Sequence, residues 1–127
     1  MTNLPSGTVT FLFTDIEGST RLWEEHHEAM QRALGRHDAV LRAAIGTNRG
    51  HIFKTVGDAF DAVFPTAPAA LAAALAAQRA LIAEPWEVPG GLRVRMALDT
   101  GVAEERDEDY FGPTLNRTAR LLAAAHG

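Results

Sequence analysis

The sequence predicts an α+β fold, an α/β sandwich with helices on one face of a mainly antiparallel sheet, and three observations carry that expectation. Strand-like and helix-like runs alternate in the order strand, helices, strand, strand, helix, strand, helix. The two middle strands are joined by Gly57-Asp58 alone, a link short enough to demand an antiparallel hairpin. With 127 residues and 46% hydrophobic side chains, the chain has the material for one domain with a real core.

Each element has its own justification. After the Pro5-Ser6-Gly7 lead-in, residues 8–14 read as a strand with Val9, Phe11 and Phe13 on one face and Leu12 on the other, buried on both sides. Residues 18–45 carry helical spacing through Leu22, Trp23, Met30, Ala33, Leu34, His37, Leu41 and Ile45, and stop at Gly46 and Gly50. Residues 51–56 and 59–64 form the hairpin, which Pro65 ends. An alanine-rich helix over 66–83 places Leu71, Leu75, Gln78 and Ile82 on its apolar stripe. After a loop containing Pro85, Pro89 and Gly90-Gly91, the strict alternation of residues 92–98 marks a half-exposed strand. An acidic turn from Glu104 to Asp109 leads into a last helix from Thr114 to Ala125. Because His126-Gly127 follows that helix directly, the chain reads as a ferredoxin-like or palm-type sandwich lacking its last strands, truncated at the C-terminus.

Composition narrows the function classes. The net charge is -4, and the 12 Lys and Arg are spread along the chain, which argues against direct nucleic-acid binding. The absence of cysteine removes disulfides, thiolate zinc sites and a Cys nucleophile. The longest apolar stretch, Ala67 to Ala77, is too short to span a bilayer, and Met1 to Gly7 lacks the pattern of a signal peptide. A cytoplasmic domain without membrane contact is the expectation.

Two aspartates stand out. Asp15 closes the first strand and Asp58 sits in the hairpin turn, so both carboxylates lie at strand ends, where adjacent central strands would bring them together around one or two divalent cations. The alternative is that each is a turn or cap residue. Gly18-Ser19-Thr20 opens a helix and offers backbone N–H groups to a phosphate, although Ser19 also reads as an ordinary N-cap. Lys54 shares strand parity with apolar Ile52 and Val56, either snorkelling to the sheet edge or reaching a base or phosphate. Asn116 and Arg120, four residues apart, share one helix face, as a polar surface or as a donor pair for a sugar and a charged phosphorus centre. Asp61 interrupts an apolar strand and reads as solvent-facing. The five histidines show no metal-ligand spacing, and Trp23 and Trp86 read as core or loop-base fillers.

These motifs resemble those of one family. Phe11-Leu12-Phe13-Thr14-Asp15-Ile16-Glu17-Gly18-Ser19-Thr20 is similar to the opening motif of class III adenylate and guanylate cyclase catalytic domains, particularly the bacterial type. Lys54-Thr55-Val56-Gly57-Asp58-Ala59-Phe60 resembles their second metal motif, and the run from Asp109 to Arg120 resembles their transition-state helix. The resemblance covers nearly all of residues 1–127 and implies an adenylate cyclase that converts ATP to 3′,5′-cyclic AMP and pyrophosphate. It implies two Mg2+ or Mn2+ ions held by Asp15, Asp58 and the Ile16 carbonyl, phosphate contacts at Gly18, Ser19 and Thr20, and purine reading by Lys54 and Asp109. It further implies that Asn116 orients the ribose and that Arg120 stabilises charge on the transferring phosphorus. A head-to-tail homodimer would build each site from Asp15 and Asp58 of one copy and Lys54, Asp109, Asn116 and Arg120 of the other. Where similar members have His before a Thr-Gly pair, this chain has Asp99-Thr100-Gly101. A second reading is a catalytically silent, nucleotide-binding module of a larger signalling or transcriptional regulator.

Overall fold

Residues 4–127 are described by a computed structural model; Met1-Thr2-Asn3, part of the segment read for a leader sequence, lies outside them. The elements are β1 (Gly7–Ile16), α1 (Ser19–Glu25), α2 (His27–Thr47), β2 (His51–Val56), β3 (Ala59–Phe64), α3 (Ala67–Ala83), β4 (Val94–Arg106), β5 (Asp109–Phe111) and α4 (Pro113–Ala124). The sheet runs β2-β3-β1-β4-β5, with every neighbouring pair antiparallel. Because β4 lies beside β1, it occupies the closing position of the ferredoxin-like β-α-β-β-α-β unit. Among the described residues no helix is long and apolar enough to cross a membrane.

β1 is central and buried on both sides, as expected, with Thr10 and Thr14 buried among its apolar side chains. Its pleat sends Leu12 and Ile16 into the core shared with α2 and α3, while Val9, Phe11 and Phe13 enter a second cluster with Tyr110, Leu122, Phe53 and Leu115. The last helix therefore does not join the others on one face: α4 packs on the opposite side of the sheet, over β4. Gly101 makes that approach close, since a Cβ there would meet Thr114 Oγ1 at 2.5 Å. Thr114 Oγ1 meanwhile donates to the Val102 carbonyl at 2.8 Å. We expect Gly101→Ala to cost about 1–3 kcal/mol by forcing α4 outward. An unchanged urea midpoint would contradict this packing.

Several elements depart from the sequence expectation. The helix expected over 18–45 is broken at His26 (φ -138, ψ 50), which ends α1 and starts α2. The break folds Leu22 and Trp23 back against the core, instead of extending one rod past the sheet. α2 also runs one residue beyond Gly46, to Thr47.

On α3 the expected stripe is inverted. Leu71, Leu75 and Ile82 are exposed, whereas Ala70, Ala73, Ala74, Ala77 and Leu81 are buried. Small side chains let the helix backbone lie close to its neighbours, so the inward face is the alanine face, not the one with the largest residues. Gln78 donates to the Val94 carbonyl at 2.9 Å, tying α3 to β4. β4 does not stop at Leu98 but continues to Arg106, so the acidic turn shrinks to Asp107-Glu108. Both have positive φ (54 and 61), the backbone twist that suits a two-residue hairpin.

Trp23 and Trp86 pack against the core as expected, Trp86 donating to the Leu81 carbonyl at 2.8 Å.

Candidate active site

The two aspartates are joined by the chain itself. Asp58 Oδ1 accepts from the Ile16 backbone N–H at 3.0 Å, and Oδ2 accepts from the Ser19 hydroxyl in a short bond. The hairpin turn is thereby fastened to the end of β1, which carries Asp15 and Ile16, and to the start of α1 at Ser19. Gly18, with φ 67 and ψ 25, is the N-cap of α1, correcting the expectation that Ser19 caps it. Ser19 is the first helical residue, and its hydroxyl is committed to Asp58. Gly18 and Thr20 are exposed beside it.

Asp15 has a partner that the sequence reading missed. β1 and β4 place Asp15 opposite Arg95, whose Nε and Nη2 donate to the two carboxylate oxygens at 2.6 and 2.5 Å. This bidentate pair is partly buried, and the Asp15 hydrogen bond holds the Arg95 guanidinium even more firmly protonated than usual. The signal was present in the alternation of β4, where Arg95 falls on the opposite parity to Leu92, Val94 and Met96. Only the strand register reveals that it meets Asp15.

Lys54 reaches the site face through a β-bulge. Ile52 pairs with Ala62 and Lys54 with Asp61, leaving Phe53 as the extra residue. Period-two parity is therefore broken, and Lys54 does not share the side of Ile52 as the sequence alone indicated. Lys54 and Phe53 both turn toward the β1 face that carries Phe11 and Phe13, with Phe53 stacking edge-on against Phe11 and Tyr110. Lys54 Nζ lies 3.2 Å from Asp109 Oδ2, joining the two residues expected to read a purine. Asp109 Oδ1 accepts from the Tyr110 N–H at 2.7 Å, which fixes the carboxylate. Tyr110 is itself buried, donates to the Pro5 carbonyl at 2.6 Å, and has its phenol pushed up to about 12, chiefly by burial.

Asp61 is not solvent-facing. It is half-buried opposite both Phe13 and Lys54, and burial pushes its carboxyl up to about 6, with Asp109 adding to the rise and Lys54 opposing it.

Asn116 and Arg120 are exposed on α4, and among the described residues neither side chain has a hydrogen-bonding or ionic partner. The helix that carries them is anchored by the residue that departs from the family pattern. Asp99 accepts from Arg117 Nε and Nη2, each at 2.7 Å, and from the Thr118 hydroxyl at 3.2 Å. Arg117, followed by Thr118, holds the Asp99 carboxyl below its ordinary range. The stability this contributes is present above the unfolded carboxylate pKa and fades as pH falls through the lower folded value. Asp99→Ala should loosen α4 and shift Asn116 and Arg120 with it, read as faster amide exchange along α4. Unchanged exchange would show that Asp99 is dispensable.

The donor set suits a hard cation. Two carboxylates and a main-chain carbonyl offer only oxygen, the preference of Mg2+ and Mn2+, and among the described residues no group of three or more His, Cys, Asp and Glu side chains offers a competing centre. Each carboxylate already has protein donors, so a cation must share or displace Arg95 at Asp15 and Ser19 at Asp58.

Comparison with known proteins identifies the family and the fold. The family described as the adenylate and guanylate cyclase catalytic domain matches residues 1–127. The chain is 35% identical over 148 residues to an adenylate cyclase of Schizosaccharomyces pombe, covering 97% of this chain and 9% of the fungal protein. It is 44% identical over 126 residues to an uncharacterized protein of Mycobacterium tuberculosis, covering 97% of this chain and 41% of that one. The chain thus spans less than half the length of these relatives. Among solved structures, a Trypanosoma brucei adenylate cyclase in its monomeric state matches with a TM-score of 0.90 and 28% identity, over 99% of this chain and 73% of that one. An adenylate/guanylate cyclase/hydrolase from Silicibacter pomeroyi matches with a TM-score of 0.77 and 30% identity, over 93% and 70%.

Proposed function

Because the chain belongs to the adenylate and guanylate cyclase catalytic domain family, we propose that residues 1–127 act as an adenylate cyclase, forming 3′,5′-cyclic AMP and pyrophosphate from ATP at a site shared by two copies of the chain. The observation that carries the choice of ATP is the Lys54–Asp109 pair, 3.2 Å apart and turned to the site face by the bulge at Phe53. Adenine presents an acceptor at N1 and a donor at its 6-amino group, whereas guanine reverses that order. An ammonium beside a carboxylate matches the adenine edge, with Lys54 donating to N1 and Asp109 accepting from the amine.

Asp15, Asp58 and the Ile16 carbonyl would hold the divalent ions, which when bound supply Lewis-acid activation of the ribose 3′-hydroxyl and neutralisation of the triphosphate. The remaining work falls to the side chains. The backbone N–H groups at Gly18, Ser19 and Thr20 would meet phosphate oxygens, Asn116 holds the ribose, and Arg120 donates to the phosphorus-bound oxygens as their charge grows. Asn116 and Arg120 have no partner within the described chain, which fits their use across an interface with a second copy in head-to-tail arrangement.

One observation favours a second reading. The bidentate Arg95–Asp15 pair neutralises a metal-holding carboxylate, as a silent nucleotide-binding regulatory module would tolerate. Incubation with ATP or GTP and Mn2+ separates the two readings. Cyclic AMP formed in preference to cyclic GMP supports the cyclase, whereas nucleotide binding without any cyclic product supports the module.

A further inference from the structure

We propose that Asp61 is a third member of the Lys54–Asp109 cluster, a positioning residue that holds the Lys54 ammonium toward the nucleotide and so sets the affinity for a purine. The inference rests on the reading of Lys54 and Asp109 as the base-contacting pair.

The bulge that leaves Phe53 unpaired brings Lys54 into register with Asp61, when a regular ladder would have put Phe53 there. From its other side Asp61 meets Phe13 of β1, an apolar neighbour that removes water. The charged groups facing it are Lys54 from β2 and Asp109 from β5, and both act on its titration. One ammonium thus stands among two carboxylates, only one of which, Asp109, forms a close ion pair with it.

That arrangement has a consequence for binding. When Asp61 is ionised, the positive charge of Lys54 is divided between two carboxylates, and Asp109 keeps an acceptor site for a ligand N–H. When Asp61 is protonated, Lys54 is drawn wholly to Asp109, and each masks the other from the base. Purine affinity therefore weakens as pH falls through about 6, the range into which burial moves Asp61.

The test compares Mg-ATP dissociation constants, by calorimetry on the full chain, for the wild type, Asp61→Asn and Lys54→Ala from above to below that pH. Comparing variants at one pH cancels the titration of the ATP phosphates. The expected result is roughly three- to fivefold weaker binding by Asp61→Asn at neutral pH, with the difference vanishing in acid. A ratio of one throughout, or a ratio independent of pH, would overturn the proposal. If Lys54→Ala binds as well as the wild type, the base-contacting reading itself fails. If Lys54→Ala weakens binding and Asp61→Asn does not, only the role of Asp61 fails. Failure of the wild type to bind Mg-ATP would overturn both.

Discussion

Asp58→Asn is expected to lower cyclic nucleotide formation by about a thousandfold or more while leaving the domain folded. The amide keeps an oxygen that accepts from the Ile16 N–H, and its nitrogen can donate to Ser19, so the turn stays fastened to the end of β1 and the start of α1. What disappears is the negative charge that a divalent cation needs. Asp58→Ala removes the fastening as well and should cost both activity and about 1–3 kcal/mol of stability, through the unsatisfied N–H of buried Ile16. Removal of divalent metal by a chelator should reproduce the catalytic loss of Asp58→Asn without altering the unfolding midpoint. Activity of Asp58→Asn within about tenfold of the wild type would remove this carboxylate from the metal site.

The second large effect is expected at Arg120. Its side chain is exposed and has no partner among the described residues, so Arg120→Ala should change stability by less than about 0.5 kcal/mol. If the guanidinium meets charge that develops only as the phosphorus is attacked, kcat should fall by about a hundred- to a thousandfold with little change in KM. A rise in KM with kcat unchanged would assign Arg120 to ground-state phosphate binding instead. Arg117, three residues before Arg120 on the same helix, is instead committed to Asp99. Arg117→Ala should therefore act through the docking of α4.

Much of the site was legible because its chemistry coincides with breaks in pattern. Asp15 follows the strand built on Val9, Phe11, Leu12 and Phe13, Asp58 follows Gly57 in a two-residue hairpin link, and neither position needs tertiary information to be found. What the sequence withheld depends on register. A single extra residue at Phe53 reverses the side on which Lys54 lies, and no period-two reading detects it. Arg95 meets Asp15 only through the alignment of strands 80 positions apart in the chain. Asp61 looked solvent-facing because a lone carboxylate in a strand usually is, yet Lys54 and Asp109 supply the polar surroundings that let it sit half-buried.

The fold shows the same division. Hydrophobicity alone favoured the Leu71, Leu75 and Ile82 face of α3, but close helix packing selected the alanines. The break at His26 carries no Gly or Pro and left no mark in the sequence, whereas Pro65 gave the end of β3 correctly and Thr66, expected inside α3, is its N-cap. Thr66 accepts from the Ala69 N–H at 3.3 Å.

A site divided between two copies of the chain is tested most directly by mixing Asp15→Ala with Arg120→Ala, each inactive alone. In an equal mixture about half of the dimers are mixed, and each of these holds one intact site and one doubly altered site. Cyclic AMP formation from ATP and Mn2+ should therefore recover to about one quarter of the wild-type rate. No recovery, in a sample shown to contain mixed dimers, would contradict the shared site.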